Sequence, residues 1–222
     1  MLRPVLLFII LTLSVNVITG QTKYKAPDCK KIKKKISNEK GKYYYPDLMK
    51  RYLASDTTFT IKEKRLLYYG FVFSDEFRND RNKIYKDSLR VFFRMKKLTS
   101  LDAVNMIRFS DSILVVNPFN LKALNYRAYA FENTGNKAGT KRVIYRINLV
   151  LEAILSSGHG LSTDSPFYVI RESDEYALVD VLGFLFEGHS DMVDGKYHKL
   201  KVTGGNKDIE ALYFYVNTCN RK

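Results

Sequence analysis

The stretch Thr60-Ile-Lys-Glu63-Lys-Arg-Leu-Leu-Tyr-Tyr-Gly70 carries two independent signals for a helix. Thr60 and Glu63 have the spacing of a capping box, in which each side chain bonds the backbone of the other residue at a helix start. Leu66 and Leu67 then begin an apolar face at helical spacing. The stretch therefore predicts an amphipathic helix that begins just after Thr60.

Apolar residues at helical spacing predict further helices on both sides of this one. These patterns cover residues 28–36, 48–53, 85–93, 100–116, 121–131 and 143–155. Asn117-Pro118 ends one of them and Gly135 ends the next, because neither sequence continues a helix readily. Short turns between consecutive helices predict an antiparallel bundle or a piece of α-solenoid.

One pair of these helices resembles a tetratricopeptide-type hairpin. In such a hairpin a helix that ends at a proline precedes a helix with a large, a small and an aromatic residue, and a glycine forms the following turn. The corresponding residues are Pro118, Leu124, Ala128, Phe131 and Gly135. Only one such unit fits, and Thr140 stands where these repeats usually have Ala. Packing between adjacent helices explains the same residues, so no peptide groove is inferred.

After Gly158 the apolar pattern changes from helical spacing to alternation. Leu212, Phe214 and Val216 alternate with the residues between them, which is the period of a half-buried strand. Gly204-Gly205-Asn206 precedes this strand and predicts the loop of a hairpin. The last part of the chain is thus predicted to contain a small antiparallel sheet.

Further segments complete the predicted architecture, with strands near residues 167–170, 184–186 and 200–202 and a helix at 174–182. We predict an α+β fold, in which an N-terminal helical bundle with a tetratricopeptide-like hairpin is followed by a small antiparallel β-sheet with one helix. The predicted regions are a signal peptide at 1–20, a Lys-rich segment at 21–42, a helical region at 43–157 and a small α+β sheet region at 158–222.

Residues 1–20 have the order of a secretory signal. Arg3 precedes an apolar run from Val5 to Val17, and small Gly20 stands just before Gln21. The run is shorter than the roughly 20 predominantly apolar residues of a spanning helix. An uncleaved anchor is the alternative, which the short run disfavours. We expect cleavage before Gln21 and a soluble chain, without a transmembrane segment, in the periplasm or cell exterior.

The charge of the chain is unevenly distributed. The net charge is +14, but residues 21–157 hold 29 Lys or Arg against 13 Asp or Glu, whereas residues 158–222 hold 7 against 10. A basic region outside the cytoplasm favours an anionic envelope component or an acidic protein as partner, and not nucleic acid. The candidate contacts are five lysines of the first predicted helix: Lys30, Lys31, Lys33, Lys34 and Lys35. The alternative is that these lysines only solvate a helix face.

Two cysteines, Cys29 and Cys219, stand near opposite ends of the chain. In an oxidising compartment they could pair and close nearly the whole domain into one loop. Two unpaired thiols are the alternative, and the sequence leaves both open. The absence of C-x-x-C argues against a thioredoxin-type motif and against the usual structural zinc pattern.

Two stretches of the chain resemble a known family. The first runs from Tyr45-Pro-Asp-Leu-Met-Lys-Arg-Tyr-Leu-Ala-Ser-Asp56 to Leu67-Tyr-Tyr-Gly-Phe-Val-Phe73, and the second combines Gly158-x-Gly160 with Asp174-Glu-Tyr176. They resemble the bacterial family called domain of unknown function 4919, over roughly residues 43–216. The resemblance implies an exported protein of Gram-negative bacteria, with no assigned activity and no catalytic residue to carry over.

Three acids accompany two of the histidines in the C-terminal part. His189 and His198 lie near Glu187, Asp191 and Asp194, and such a set could bind zinc or supply an acid or base. The spacing matches no fixed metal motif, and Asp194 with the glycine after it is typical of a turn. Loop histidines beside turn-forming acids are therefore the preferred explanation of the pattern.

Other catalytic motifs are missing from the sequence. It has no G-x-S-x-G nucleophile elbow, no local signature of a cysteine protease and no glycine-rich phosphate loop. We therefore expect an exported, non-enzymatic binding or scaffold protein with no cofactor and no metal, and with salt-sensitive attachment through the five lysines. The alternative is a hydrolase or metal-dependent enzyme that uses His189 and His198.

Overall fold

A computed structural model describes the chain over residues 24–78, 99–205, 208–216 and 218–219. Helices come first, and a four-stranded sheet with one helix follows. This order confirms the predicted α+β class. The predicted signal peptide at 1–20 and the predicted helix at 85–93 lie outside the described residues.

The α-helices of the described part are α1 (Cys29–Ile36), α2 (Tyr45–Leu53), α3 (Ile61–Gly70), α4 (Asp75–Arg78), α5 (Ser100–Val116), α6 (Leu121–Asn133), α7 (Lys137–Leu155) and α8 (Glu172–Val181), with a 3₁₀ helix at Phe71–Phe73. The capping box predicted for α3 is present, since Oγ1 of Thr60 accepts from the Glu63 amide and Oε2 of Glu63 accepts from the Thr60 amide. Among the described residues, none of the helices has the length and apolarity needed to cross a membrane.

Helices α6 and α7 form the predicted helix hairpin. Gly135 occupies the turn with φ of +70°, a left-handed conformation that glycine adopts without a steric penalty. Asn136 caps α7, because its side-chain oxygen accepts from the Gly139 amide at 2.8 Å. A local turn signal thus suffices to explain where one helix ends and the next begins.

The strands are β1 (Phe167–Tyr168), β2 (Phe184–Val193), β3 (Tyr197–Gly204) and β4 (Ala211–Tyr215), in the spatial order β1-β4-β3-β2. The two hairpins, β2 with β3 and β3 with β4, are antiparallel as predicted. Strand β1 pairs with β4 in parallel, so the sheet is mixed. A parallel neighbour requires the chain to cross over, and α8 and the hairpin strands lie between β1 and β4 in sequence.

One hydrophobic core joins the helices to the sheet. Leu67 of α3, Ile154 of α7 and Phe214 of β4 all belong to it. Phe119, between α5 and α6, contacts three further rings of this core: Tyr52, Tyr68 and Phe71, with centroid distances of 5.1, 6.0 and 5.2 Å. A second, smaller cluster lies among α5, α6 and α7. The sheet region therefore packs directly on the helical region.

Candidate functional site

Helix α1 carries the predicted contact residues, and local signals position it. Oδ1 of Asp28 accepts from the Lys31 amide at 3.0 Å and so caps the helix. Ile32 and Ile36, one turn apart, are both buried in the main core. An eight-residue helix is marginal by itself in water, so the packing of these two side chains helps to hold it in the helical state.

The remaining surface of α1 is a row of lysines. All five predicted contact residues are exposed: Lys30, Lys31, Lys33, Lys34 and Lys35. The Lys31 ammonium lies 2.9 Å from Asp28, and the Lys33 ammonium lies 5.6 Å from the ring centroid of Phe73. We call these five residues the α1 lysine face. Lysines in the last turn also complement the helix dipole, which is a structural role that needs no partner.

A disulfide joins this helix to the end of the chain. Cys29, the first residue of α1, is bonded to Cys219, which follows β4, and their Cα atoms are 5.3 Å apart. The α1 lysine face is therefore attached to the fold both by apolar packing and by a covalent bond. Disulfides form and persist in oxidising compartments, so this bond supports an extracytoplasmic location.

The histidines and acids that could have formed a metal site separate into pairs. Nε2 of His189 lies 2.9 Å from Asp191, whereas Glu187 pairs with Lys201 at 2.9 Å. His198 instead faces Glu175 of α8. Over the described ranges, no group of three or more His, Cys, Asp or Glu is placed to hold a metal ion. Asp194 lies in the β2–β3 turn with φ of +53°, as its turn signal predicts.

Two acids on α8 are buried side by side. Asp174 is 3% exposed and Glu175 is 0% exposed. The Tyr68 hydroxyl donates to Oδ2 of Asp174 at 2.7 Å and accepts from the Ile170 amide at 3.3 Å. Burial raises the pKa of Asp174 to about 6, because removal from water disfavours the charged form.

Glu175 shows the same effect more strongly. Burial raises its pKa to about 8, and the nearby charges of Glu172 and Asp174 act in the same direction. Nδ1 of His198 lies 3.0 Å from Oε1 and 3.3 Å from Oε2 of Glu175, and only the second contact has hydrogen-bond geometry. These acids can hold protons near neutral pH, and both side chains lie inside the protein.

Sequence reasoning placed Asp174 and Glu175 on a helix and in a stretch that resembles the family, but it gave them no role. The available signal was their position, since two adjacent acids stand between the apolar run ending at Ile170 and the apolar pair Leu178 and Val179. Acids on the inward side of a helix are rarely buried without a partner. Such a pattern predicts a buried polar network, although not the identity of its other members.

A second polar network fixes the loop between α2 and α3. The guanidinium of Arg51 contacts Asp56 at 2.6 Å and Glu63 at 2.8 Å, and it stacks on the Phe59 ring at 4.3 Å from the centroid. Hydrogen bonds from Thr60 and Arg51 lower the pKa of Glu63 to about 2, against the raising effect of burial. Ser55 adopts φ of +57° in this loop. The contacts therefore hold a tight connection between two helices.

A family model described as "Domain of unknown function (DUF4919)" matches residues 30–222. The chain belongs to this family. No curated protein and no solved structure matches it. The DUF4919 match includes α1, both polar networks and the whole sheet, so it covers every residue of the candidate site except the cap at Asp28 and Cys29.

The glycines of the DUF4919 motifs have packing roles. A Cβ atom on Gly70 would lie 2.9 Å from Cδ1 of Ile36, so this glycine allows α1 to approach α3. A Cβ on Gly158 would lie 2.1 Å from the Pro166 carbonyl oxygen. Gly160 has φ of +72°, and a Cβ there would lie 2.1 Å from the ring of Phe167. Packing and backbone conformation thus explain why glycine stands at these three positions.

Proposed function

We propose that this DUF4919 protein is an exported, non-enzymatic binding or scaffold protein, and that its α1 lysine face contacts an anionic component of the bacterial envelope. One observation carries the proposal. Helix α1 directs both of its isoleucines into the core and all five of its lysines to solvent. A concentrated positive surface of this kind attracts an anionic partner at long range.

The attachment of α1 favours binding over simple solvation. A short lysine-rich segment that only kept the protein in solution would not need two buried side chains and a disulfide. A helix held in place loses little conformational entropy when it binds, which raises affinity for a given set of contacts. The disulfide also supports a location outside the cytoplasm, where components of the envelope are found.

The apolar side of α1 restricts the kind of contact. An amphipathic helix that inserts into a lipid surface must expose its apolar face. Ile32 and Ile36 of α1 are instead buried against the protein. The contact proposed is therefore electrostatic, with phosphate or carboxylate groups at the surface of the partner.

The experiment compares two anionic probes with matched charge variants. Vesicles of phosphatidylglycerol mixed with phosphatidylcholine present phosphate groups, and polygalacturonate presents carboxylates on a polysaccharide. The test variant is Lys30→Gln, Lys34→Gln and Lys35→Gln, and the control removes the same charge from exposed positions on α7 through the changes Lys137→Gln, Lys141→Gln and Arg142→Gln. Co-sedimentation and affinity electrophoresis measure binding by the disulfide-bonded protein.

We expect at least one probe to bind the wild type, and the α1 variant to bind it more weakly than the α7 control. Phosphatidylcholine vesicles alone should not bind. Equal loss in the two variants would mean that total charge and not helix α1 is responsible, and it would contradict the proposal. So would binding by neither probe.

A further inference from the structure

The sheet has a second face that the core does not use. Along β3 and β4, alternate residues are buried against the helices: Leu200, Val202, Leu212 and Phe214. The residues between them face outward and are half-buried or exposed: Tyr197, Lys199, Lys201, Ala211, Tyr213 and Tyr215. We call this second surface the outer sheet face. It carries aromatic rings and ammonium groups in the same small area.

The strand register places three kinds of side chain at one level. Lys199 of β3 is paired with Asp191 of β2 on one side and with Tyr213 of β4 on the other. The Lys199 ammonium lies 6.0 Å from the centroid of the Tyr213 ring. A carboxylate, an ammonium and an aromatic ring therefore stand next to one another across three strands.

A groove of about 370 Å³ is lined in part by these three residues, Asp191, Lys199 and Tyr213. Leu161, which is 49% exposed, lines the groove together with two other apolar residues, Ile209 and Ala211. Lys201 and Glu210 add charged groups at its edge. The volume lies at the lower end of the range for small-molecule sites, about 300–1,000 Å³.

A row of tyrosines extends the surface beyond the groove. The rings of Tyr168 and Tyr215 are 5.1 Å apart, and those of Tyr215 and Tyr197 are 6.0 Å apart. Lys196 places its ammonium 4.8 Å from the Tyr197 centroid. Tyr215 is two residues from Tyr213 along β4, which is about 7 Å in a strand. The aromatic surface thus continues from the groove across β4, β3 and β1.

We infer that the outer sheet face binds a neutral oligosaccharide. A sugar ring has an apolar C–H face and a rim of hydroxyl groups, and tyrosine offers a flat apolar face with a polar tip. The carboxylates accept hydrogen bonds from hydroxyl groups, and the ammonium groups donate them. Tyr213 and Leu161 form the surface on which the first sugar ring packs.

The charges of the groove favour a neutral ligand over a polyanion. Asp191, Asp208 and Glu210 place three carboxylates along the groove, against the ammonium groups of Lys199 and Lys201. A ligand with many negative charges would meet more carboxylates than ammonium groups here, and Lys201 is already paired with Glu187, in contrast to the α1 lysine face. The two surfaces therefore suit different ligands, and this inference does not depend on the proposed contact through α1.

The test uses three neutral hexasaccharides as probes: cellohexaose, chitohexaose and maltohexaose. Isothermal titration calorimetry measures affinity, and backbone amide shifts of Ala211 and Tyr213 report the place of binding. Tyr213→Ala should weaken binding roughly tenfold, as expected for loss of one aromatic packing contact. Tyr129→Ala is the matched control, because Tyr129 is 37% exposed on α6. It should leave affinity unchanged.

Tyr213→Phe should retain most of the affinity, since it keeps the ring. If Tyr213→Ala does not fold, Leu161→Ala tests the same groove from an exposed loop position. Saturable binding by at least one hexasaccharide, with shifts at Ala211 and loss in these variants, supports the inference. Absence of saturable binding by all three, or binding unaffected by both variants, overturns it. Amide shifts caused by a casein-digest peptide pool but not by the saccharides would also overturn it.

Discussion

The Tyr68 hydroxyl donates a 2.7 Å hydrogen bond to the buried carboxyl of Asp174, which is 106 residues away in sequence. Tyr68 belongs to the Leu-Tyr-Tyr-Gly motif of α3, and Asp174 belongs to the Asp-Glu-Tyr motif of α8. The two stretches that carry the resemblance to the family therefore meet inside the protein. This contact links the helical region to the sheet region.

Tyr68→Phe should destabilise the protein by about 1–3 kcal/mol, because it removes the buried Tyr68 donor from the Asp174 carboxyl. Chemical denaturation of the disulfide-bonded protein measures the change. Tyr129→Phe, at an exposed position on α6, should change stability by less than about 0.5 kcal/mol. Equal stability of Tyr68→Phe and the wild type would show that the hydrogen bond does not link the two regions energetically.

The buried acids of α8 should make stability depend on pH. The pKa of Asp174 rises from 3.8 to about 6 in the folded state, and that of Glu175 rises from 4.5 to about 8. Both carboxyls bind protons more tightly when folded, so the free energy of unfolding falls as pH rises between the unfolded and folded values. The cost of ionisation is absent below about pH 4 and complete above about pH 8.

Glu175→Gln should remove most of this slope between about pH 7 and about pH 8, where Asp174 is already largely ionised. Thermal unfolding midpoints of the wild type and the variant, recorded across this pH interval, measure the slope. Glu132→Gln, at an exposed position on α6, is the control and should keep the wild-type slope. A slope that survives in Glu175→Gln would contradict the assignment of the dependence to Glu175.

Arg51→Ala should destabilise the protein by about 1–3 kcal/mol, since it removes the charged partner of buried Glu63 and opens the loop between α2 and α3. Arg142→Ala, at an exposed position on α7, should change stability little. Denaturant titration of both variants checks the comparison. A result in which the two variants are equally stable would mean that the loop is held by other contacts.

Local signals in the sequence predict much of the fold. The capping box at Thr60 and Glu63 is present, Ile32 and Ile36 are buried, and Leu212 and Phe214 alternate inward on β4. Each of these features depends on residues within one or two turns or strands of one another. Patterns of this range are visible in the sequence because the physical cause is equally local.

Long-range partners could not be predicted in the same way. The parallel pairing of Phe167 with Phe214 and the contact of His198 with Glu175 depend on how separate elements pack. Strand β2 also continues to Val193, well past the predicted segment at 184–186, through a register shift between Phe186 and Ser190 that interrupts the alternation. The five lysines between Lys30 and Lys35 predicted a charged helix. Which side of that helix faces solvent became visible only from its packing against the core.

Replacement of both Cys29 and Cys219 by Ser should lower stability by about 2–5 kcal/mol, because the bond closes a loop with a sequence separation of 190 residues. Amides of α1 should lose protection from hydrogen exchange more than those of α7, since α1 is a short helix that buries two isoleucines and depends on the bond for its covalent attachment. Hydrogen–deuterium exchange with mass spectrometry checks this. Full protection of α1 in the double variant would show that apolar packing alone positions it.

The most direct test of the proposed function is the salt dependence of binding to the anionic probe that the wild type prefers. Electrostatic contacts weaken as the Debye length shortens from about 10 Å at 0.1 M to about 3 Å at 1 M salt. We predict that wild-type affinity falls steeply with salt, and that replacing all five lysines of the α1 lysine face by Gln leaves weak binding with a nearly flat salt dependence. An unchanged affinity and an unchanged slope in that variant would contradict the proposal.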